Sequence, residues 1–200
     1  MFSLLRTLDP TIYTHRSYVL SSGDDFSARR AKDFEDALAL NSTSSPPSPS
    51  SLPSTYDITT IPRARRVHQS VLTTPLSAMR CILGCFSVLR APTTVEFASQ
   101  GKRERPSYGY PDLILTNGPG TAVCVVLASV MVRFFSPVLP RRWSAKKGKM
   151  RTIYVESWAR VRRLSLSGKI LVWVVDRFLV QWDALKGAGG GKAEYIGVLV

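Results

Sequence analysis

Pro111-Asp-Leu-Ile-Leu-Thr-Asn-Gly-Pro-Gly-Thr121 runs from a short apolar stretch through a glycine-bracketed turn into the apolar segment Thr121 to Phe135. A continuous run of Leu and Ile of this length reads as a strand covered on both faces, and the longer apolar stretch after the turn reads as a helix. Strand, tight turn and helix in this order form the repeating unit of a parallel α/β sheet. The alternation continues in both directions. Upstream, the pattern predicts a strand at Ser17 to Ser21, a helix from about Ser27 to Leu40, a strand at Tyr56 to Ile61 and a helix over Val71 to Leu89 that Pro92 ends. Downstream, it predicts a strand at Thr152 to Val155, a helix from Gly168 to Val175 capped by Ser167, and a strand at Arg177 to Gln181. A short helix at Asp183 to Lys186 and an extended apolar end, Ala193 to Val200, complete the reading. The expected fold class is α/β with a mostly parallel sheet.

With 200 residues, 44% of them apolar, the chain is long enough for one globular domain with a core and too short for two full nucleotide-binding domains. A single domain over 1–200 is expected, with mobile inserts near 41–55, 93–109 and 136–150. The first is rich in Ser and Pro and has too little apolar surface to offset its ordering entropy. Lys and Arg number 27 against 14 Asp and Glu, a formal charge of +13 that favours polyanions, phosphate ligands or an anionic membrane face. The densest cationic stretch, Arg133 to Arg151, has no acidic residue and includes Trp143. Aromatic residues are too few among the basic ones for a base-stacking platform, so no nucleic-acid partner is expected.

Cys81, Cys85 and Cys124 lack the spacing of a zinc or redox motif, and a reducing compartment is expected. His15 and His68 are the only histidines and have no neighbour at metal-ligand spacing, so no metal site is expected. The beginning of the sequence lacks the apolar core of a signal peptide, and the longest apolar run, Ala122 to Val132, is too short to span a bilayer. Asn41-Ser42-Thr43 matches a glycosylation acceptor and is read as unused.

Three stretches offer chemistry. The turn Asn117-Gly118-Pro119-Gly120-Thr121 lies where a parallel strand gives way to a helix, and its backbone N–H groups can receive a phosphate or a polarised sugar oxygen. The same residues equally describe a tight connection with Pro119 at the first helical position. Glu156 stands just past a strand's carboxyl end, where it can act as a general base, hydrogen-bond a sugar hydroxyl, or simply pair with Arg160 four residues on. Arg160, Arg162 and Arg163 can form a pyrophosphate contact or a solvated basic face.

Six blocks, in order, resemble one family: Ser17-Tyr-Val-Leu-Ser-Ser-Gly-Asp24, Pro111 to Thr121, Tyr154-Val-Glu-Ser157, Leu164-Ser-Leu-Ser-Gly-Lys169, Asp176-Arg-Phe-Leu-Val-Gln-Trp182 and Tyr195-Ile-Gly197. That family is the membrane-anchoring subunit of the UDP-N-acetylglucosamine transferase of dolichol-linked oligosaccharide assembly. The resemblance implies a Rossmann-like sheet forming the N-terminal half of a GT-B glycosyltransferase, without a cofactor of its own. A partner chain would hold the UDP-sugar and supply the catalytic half. The implied role is to recruit that partner to the cytosolic face of the endoplasmic reticulum membrane and to help bind the acceptor, dolichol-pyrophosphate-N-acetylglucosamine. By the same resemblance, Asn117, Gly118, Pro119, Gly120, Thr121 and Arg160 would meet the acceptor and its phosphates. Glu156 would be the catalytic candidate, and Tyr195, Ile196, Val198, Leu199 and Val200 would dock on the partner.

The sequence departs from the family at its start, because members carry a membrane helix, a strand and a glycine-rich loop before the block that includes Leu4 to Pro10. The expectation is therefore a sheet without its usual central first strand, with Ser17 to Ser21 and Pro111 to Thr116 on either side of a gap. A truncated chain acting at most as a basic membrane-surface protein is the alternative.

Overall fold

The alternation of apolar runs and turn residues is realised as a series of parallel strands joined through helices. The computed structural model describes residues 2–9, 12–43, 55–64, 74–90, 92–93, 107–108, 110–118, 120–135 and 149–199. The chain divides into two compact units, Met1–Ile61 and Pro62–Val200.

The first unit contains a helical turn α1 (Phe2–Leu5), strand β1 (His15–Ser21), helix α2 (Asp25–Thr43) and strand β2 (Thr55–Ile61). β1 and β2 pair in parallel from His15 opposite Thr55 to Ser21 opposite Ile61. Asp24 starts the helix by accepting the Ser27 N–H on its side chain at 3.1 Å. Ala31, Phe34 and Glu35 form the buried side of α2. Glu35 is tolerated there because Arg16 grips it at two points, Nε to Oε1 at 2.7 Å and Nη2 to Oε2 at 2.6 Å, while the Tyr18 hydroxyl donates to Oε1 at 2.5 Å. α2 runs three residues beyond Leu40, so the Ser/Pro insert begins after Thr43 and ends where β2 starts at Thr55. The asparagine of the glycosylation pattern is thus helical.

The second unit begins with helix α3 (Thr74–Leu89), followed by two short strands, β3 (Pro92–Thr93) and β4 (Ser107–Tyr108), that pair antiparallel. Pro92 therefore opens a strand, and the insert near 93–109 has an ordered pair at its ends. Then come β5 (Leu113–Asn117), α4 (Thr121–Phe135), β6 (Arg151–Val155), α5 (Leu166–Leu171), β7 (Arg177–Val180), a 3-10 turn (Asp183–Leu185) and β8 (Ala193–Tyr195). β5 to β8 form one sheet in sequence order, every pair parallel. Two parallel sheets connected through helices establish the α/β class, consistent with a Rossmann-like fold. Among the described strands, β1 and β5 each have one neighbour, β2 and β6 respectively.

α4 is apolar around most of its circumference because it is covered on most sides, with Ala122, Cys124, Val125, Val126, Ala128, Ser129 and Val132 buried. Ala122 and Val126 join Tyr154, Leu171, Val172, Phe178, Val180, Leu185 and Ala193 in a single core cluster. The Tyr154 and Phe178 rings lie 5.2 Å apart within it. Asp176 ties the entering ends of β6 and β7 together: Thr152 donates to its carboxylate through the backbone N–H at 2.7 Å and the hydroxyl at 2.9 Å. The proposed insert near 136–150 closes by Lys149, for the Met150 N–H bonds to the Pro111 carbonyl at 3.1 Å.

Candidate functional site

Parallel strands bring the loops that follow them to one edge, so the carboxyl ends of β5 to β8 collect most of the residues singled out above. Asn117 ends β5 opposite Val155, the residue before Glu156. Gly118 and Gly120 have φ of +92° and +67°, a left-handed conformation that side chains other than Gly adopt at a cost. Among the described residues, nothing lies within 4 Å of where a Gly118 side chain would point. α4 begins at Thr121, its first carbonyl acceptor being Gly120, which takes the Cys124 N–H at 3.2 Å. Pro119 lies outside the described residues.

Glu156 is 1% exposed, and hydrogen bonds occupy both carboxylate oxygens. Oε1 accepts the Ser157 N–H at 3.0 Å; Oε2 accepts the Ser165 N–H and hydroxyl, each at 3.1 Å. The pairing with Arg160 does not form: residues 156–160 are turn and coil, and Arg160 is exposed with no ion pair among the described residues. The carboxylate instead closes the loop 157–164 by holding its two ends. Burial, chiefly, and then the nearby Glu156 charge push the Tyr154 phenol up to about 12.

Ser165 also starts α5, its hydroxyl accepting the Gly168 N–H at 2.9 Å. The expected cap, Ser167, is inside the helix, because α5 starts at Leu166 rather than Gly168. The helix is correspondingly earlier, Leu166–Leu171, with turns continuing to Val174.

Gln181 was passed over in the sequence as the end of a strand, yet it joins two elements of this edge. Its side-chain amide donates to the Glu156 carbonyl at 3.0 Å, and its Oε1 accepts the Leu199 N–H at 3.0 Å. The chain end is therefore attached to the sheet. Ala193–Tyr195 is a strand of the domain, and the Ile196 N–H bonds to the Val180 carbonyl at 3.1 Å. Tyr195 and Val198 are 44% and 48% exposed, Ile196 and Leu199 are half-buried, and Val200 lies outside the described residues. The glycine tract before β8 forms hydrogen-bonded turns, with Gly187 N–H to the Ala193 carbonyl at 2.9 Å and Gly191 N–H to the Gly187 carbonyl at 2.8 Å.

Two other clusters carry polar or reactive groups. On β1 and β2, Asp57 accepts from Ser17 at 2.5 Å and lies 3.0 Å from His15 Nε2, the same nitrogen that Ser17 Oγ approaches at 3.4 Å, so serine and carboxylate meet one ring nitrogen rather than forming a relay through the imidazole. Between α3 and α4, Cys81, Cys85 and Cys124 are all buried as free thiols. Hydrogen bonds from Cys124 and then from Cys85 lower the Cys81 thiol, while the contact with Cys81 and then burial raise the other two. No group of three or more His, Cys, Asp or Glu among the described residues is arranged to hold a metal ion. No described helix is long and apolar enough to cross a membrane.

Five of the six blocks lie on the β5 to β8 sheet or the connections that follow its strands, and the first, Ser17 to Asp24, lies on β1 and the turn after it in the other unit. The family described as "Oligosaccharide biosynthesis protein Alg14 like" matches residues 1–199. The chain belongs to this family. It is 44% identical over 230 aligned residues to the UDP-N-acetylglucosamine transferase subunit alg14 of Aspergillus fumigatus, covering 100% of both chains. The Schizosaccharomyces pombe protein of the same name is 40% identical over 200 residues, 100% of this chain and 76% of its own length. The human UDP-N-acetylglucosamine transferase subunit ALG14 is 31% identical over 188 residues, 94% of this chain and 71% of its own. No solved structure matches the chain.

Proposed function

We propose that the chain is the non-catalytic subunit of a UDP-N-acetylglucosamine transferase that adds the second N-acetylglucosamine to dolichol-pyrophosphate-N-acetylglucosamine. The observation that carries this reading is the family match over residues 1–199, together with relatives that are named transferase subunits. A subunit requires a companion, and in this reading the companion is the catalytic chain that holds the UDP-sugar. The work takes place at the cytosolic face of the endoplasmic reticulum membrane.

The carboxyl edge of β5 to β8 is the acceptor side. Gly118 and Gly120 offer backbone N–H groups to the acceptor diphosphate, Asn117, Pro119 and Thr121 complete that segment, and Arg160 adds a guanidinium fork. Glu156 serves this site as a positioning residue. Its lone pairs are engaged by the loop it closes, so it fixes where Arg160 stands rather than taking the acceptor proton itself. Tyr195, Ile196, Val198, Leu199 and Val200 form the docking segment for the catalytic chain, with the exposed Tyr195 and Val198 side chains as its apolar contacts.

Co-purification with a catalytic UDP-N-acetylglucosamine transferase subunit tests this assignment. The intact chain should retain the partner, and a Tyr195→Ser, Val198→Ser variant should lose it while keeping its unfolding temperature. Retention of the partner by that variant would remove the docking role from the tail.

A further inference from the structure

The segment between the buried carboxylate of Glu156 and Asp176 has an unusual surface. From Ser157 to Val175 it contains Arg160, Arg162, Arg163 and Lys169 and no acidic residue. All four cations are exposed, and none takes part in an ion pair among the described residues. The same stretch exposes large apolar side chains: Trp158 at 55%, Val161 at 43%, Leu166 at 80%, Ile170 at 53% and Trp173 at 62%. Leu166, Ile170 and Trp173 are spaced by four and three residues, so they lie along one side of α5 and the turn after it, while Gly168, Leu171 and Val172 face inward.

This surface is also held firmly. Glu156 grips both ends of the loop, and the Trp182 indole N–H donates to the Trp158 carbonyl at 2.7 Å, with the two indole rings 6.3 Å apart. A soluble polyanion would be served by the arginines alone and would gain nothing from five exposed apolar side chains beside them. An interface that is anionic at its surface and apolar just beneath fits both sets.

We propose that residues 157–173 form a lipid-surface contact, in which Arg160, Arg162, Arg163 and Lys169 meet the phosphate head groups of an anionic bilayer and Trp158, Leu166, Ile170 and Trp173 enter the boundary beneath them. Arg160 is shared with the proposed acceptor site, whereas Arg162, Arg163, Lys169 and the apolar side chains need neither the catalytic subunit nor the acceptor.

The test is sedimentation of the full chain with vesicles of phosphatidylcholine alone and of phosphatidylcholine mixed equally with phosphatidylserine. Three double variants are compared: Arg162→Gln with Arg163→Gln, Leu166→Ser with Ile170→Ser, and, as a charge-matched control on exposed residues of α2, Arg29→Gln with Arg30→Gln. Binding to the mixed vesicles should fall about tenfold or more in the arginine-loop variant, because each basic residue at an anionic surface contributes a factor of about five. The Leu166/Ile170 variant should fall as well, and the control should stay near wild type. Equal losses in the loop variant and the control would reduce the effect to net charge and overturn the proposal. So would wild-type binding by both loop variants, or displacement of the chain from vesicles by inorganic pyrophosphate in a sodium-chloride-matched buffer.

Discussion

Gly168 has no side chain because Glu156 occupies the space: a Cβ built on Gly168 falls on Glu156 Oε2, 3.2 Å from its Cδ and 3.2 Å from Ser165 Oγ. The carboxylate is at the end of a flexible chain, but it is buried and engaged with three donors, so it cannot swing away without breaking the loop it closes. Gly168→Ala should therefore destabilise the protein by about 1–3 kcal/mol, the usual range for overpacking, in spite of alanine's higher helix propensity. Thermal unfolding reads this directly, and an unchanged or raised midpoint would contradict it.

Glu156→Ala should be more damaging than Glu156→Gln. Alanine leaves the N–H groups of Ser157 and Ser165 and the Ser165 hydroxyl without their acceptor, at about 1–3 kcal/mol for each donor that stays buried and unpaired. Glutamine keeps one acceptor oxygen. Unfolding midpoints in the order wild type, glutamine, alanine are expected; an alanine variant as stable as wild type would show that water satisfies these donors and that the carboxylate does not hold the loop.

The strands of this edge were legible in the sequence because Leu113 to Thr116, Thr152 to Val155 and Phe178 to Val180 are short apolar runs between turn residues, and α4 was legible to its ends. The role of Glu156 was not. A carboxylate just after a strand looks the same whether it faces a ligand or turns inward, and the choice depends on Ser165, nine residues away. Gln181 was hidden for the same reason, since its two partners, Glu156 and Leu199, are distant in sequence. The docking role of Tyr195 to Val200 comes from the family resemblance, and the apolar character of Ala193 to Val200 fits an edge strand equally; the pairing of Ala193–Tyr195 with β7 depends on the glycine turns that reverse the chain before it. α5 was placed two residues late because Ser165 and Ser167 are equally good caps in composition and differ only in what their hydroxyls reach.

Acid should destabilise the first unit through Glu35. Burial alone would raise its pKa and is the largest single influence, but the hydrogen bonds from Arg16 and Tyr18 together outweigh it and hold the carboxyl below its ordinary 4.5. A depressed folded-state pKa means stability that is fully present above the unfolded value and lost as pH falls through the folded one. Unfolding midpoints should thus decline below about pH 4.5 more steeply in wild type than in Glu35→Gln, which has no carboxyl to titrate. Parallel declines would remove Glu35 from the account. Glu35→Ala, which strands Arg16, should cost about 3–5 kcal/mol at neutral pH.

The three thiols should be inaccessible in the folded chain. Cys81, Cys85 and Cys124 are 0%, 1% and 4% exposed, so a bulky disulfide reagent should react only as the protein opens, and all three should react in denaturant. Immediate reaction of one thiol in native buffer would place it at the surface, and fewer than three reactive thiols in denaturant under non-reducing conditions would mean that a disulfide forms.

The measurement that reaches the central claim is transfer from UDP-N-acetylglucosamine to a dolichol-pyrophosphate-N-acetylglucosamine analogue, with the catalytic subunit alone, this chain alone and the two together. The account predicts product only from the pair. Undiminished transfer by the catalytic subunit alone, or turnover by this chain alone, would contradict it.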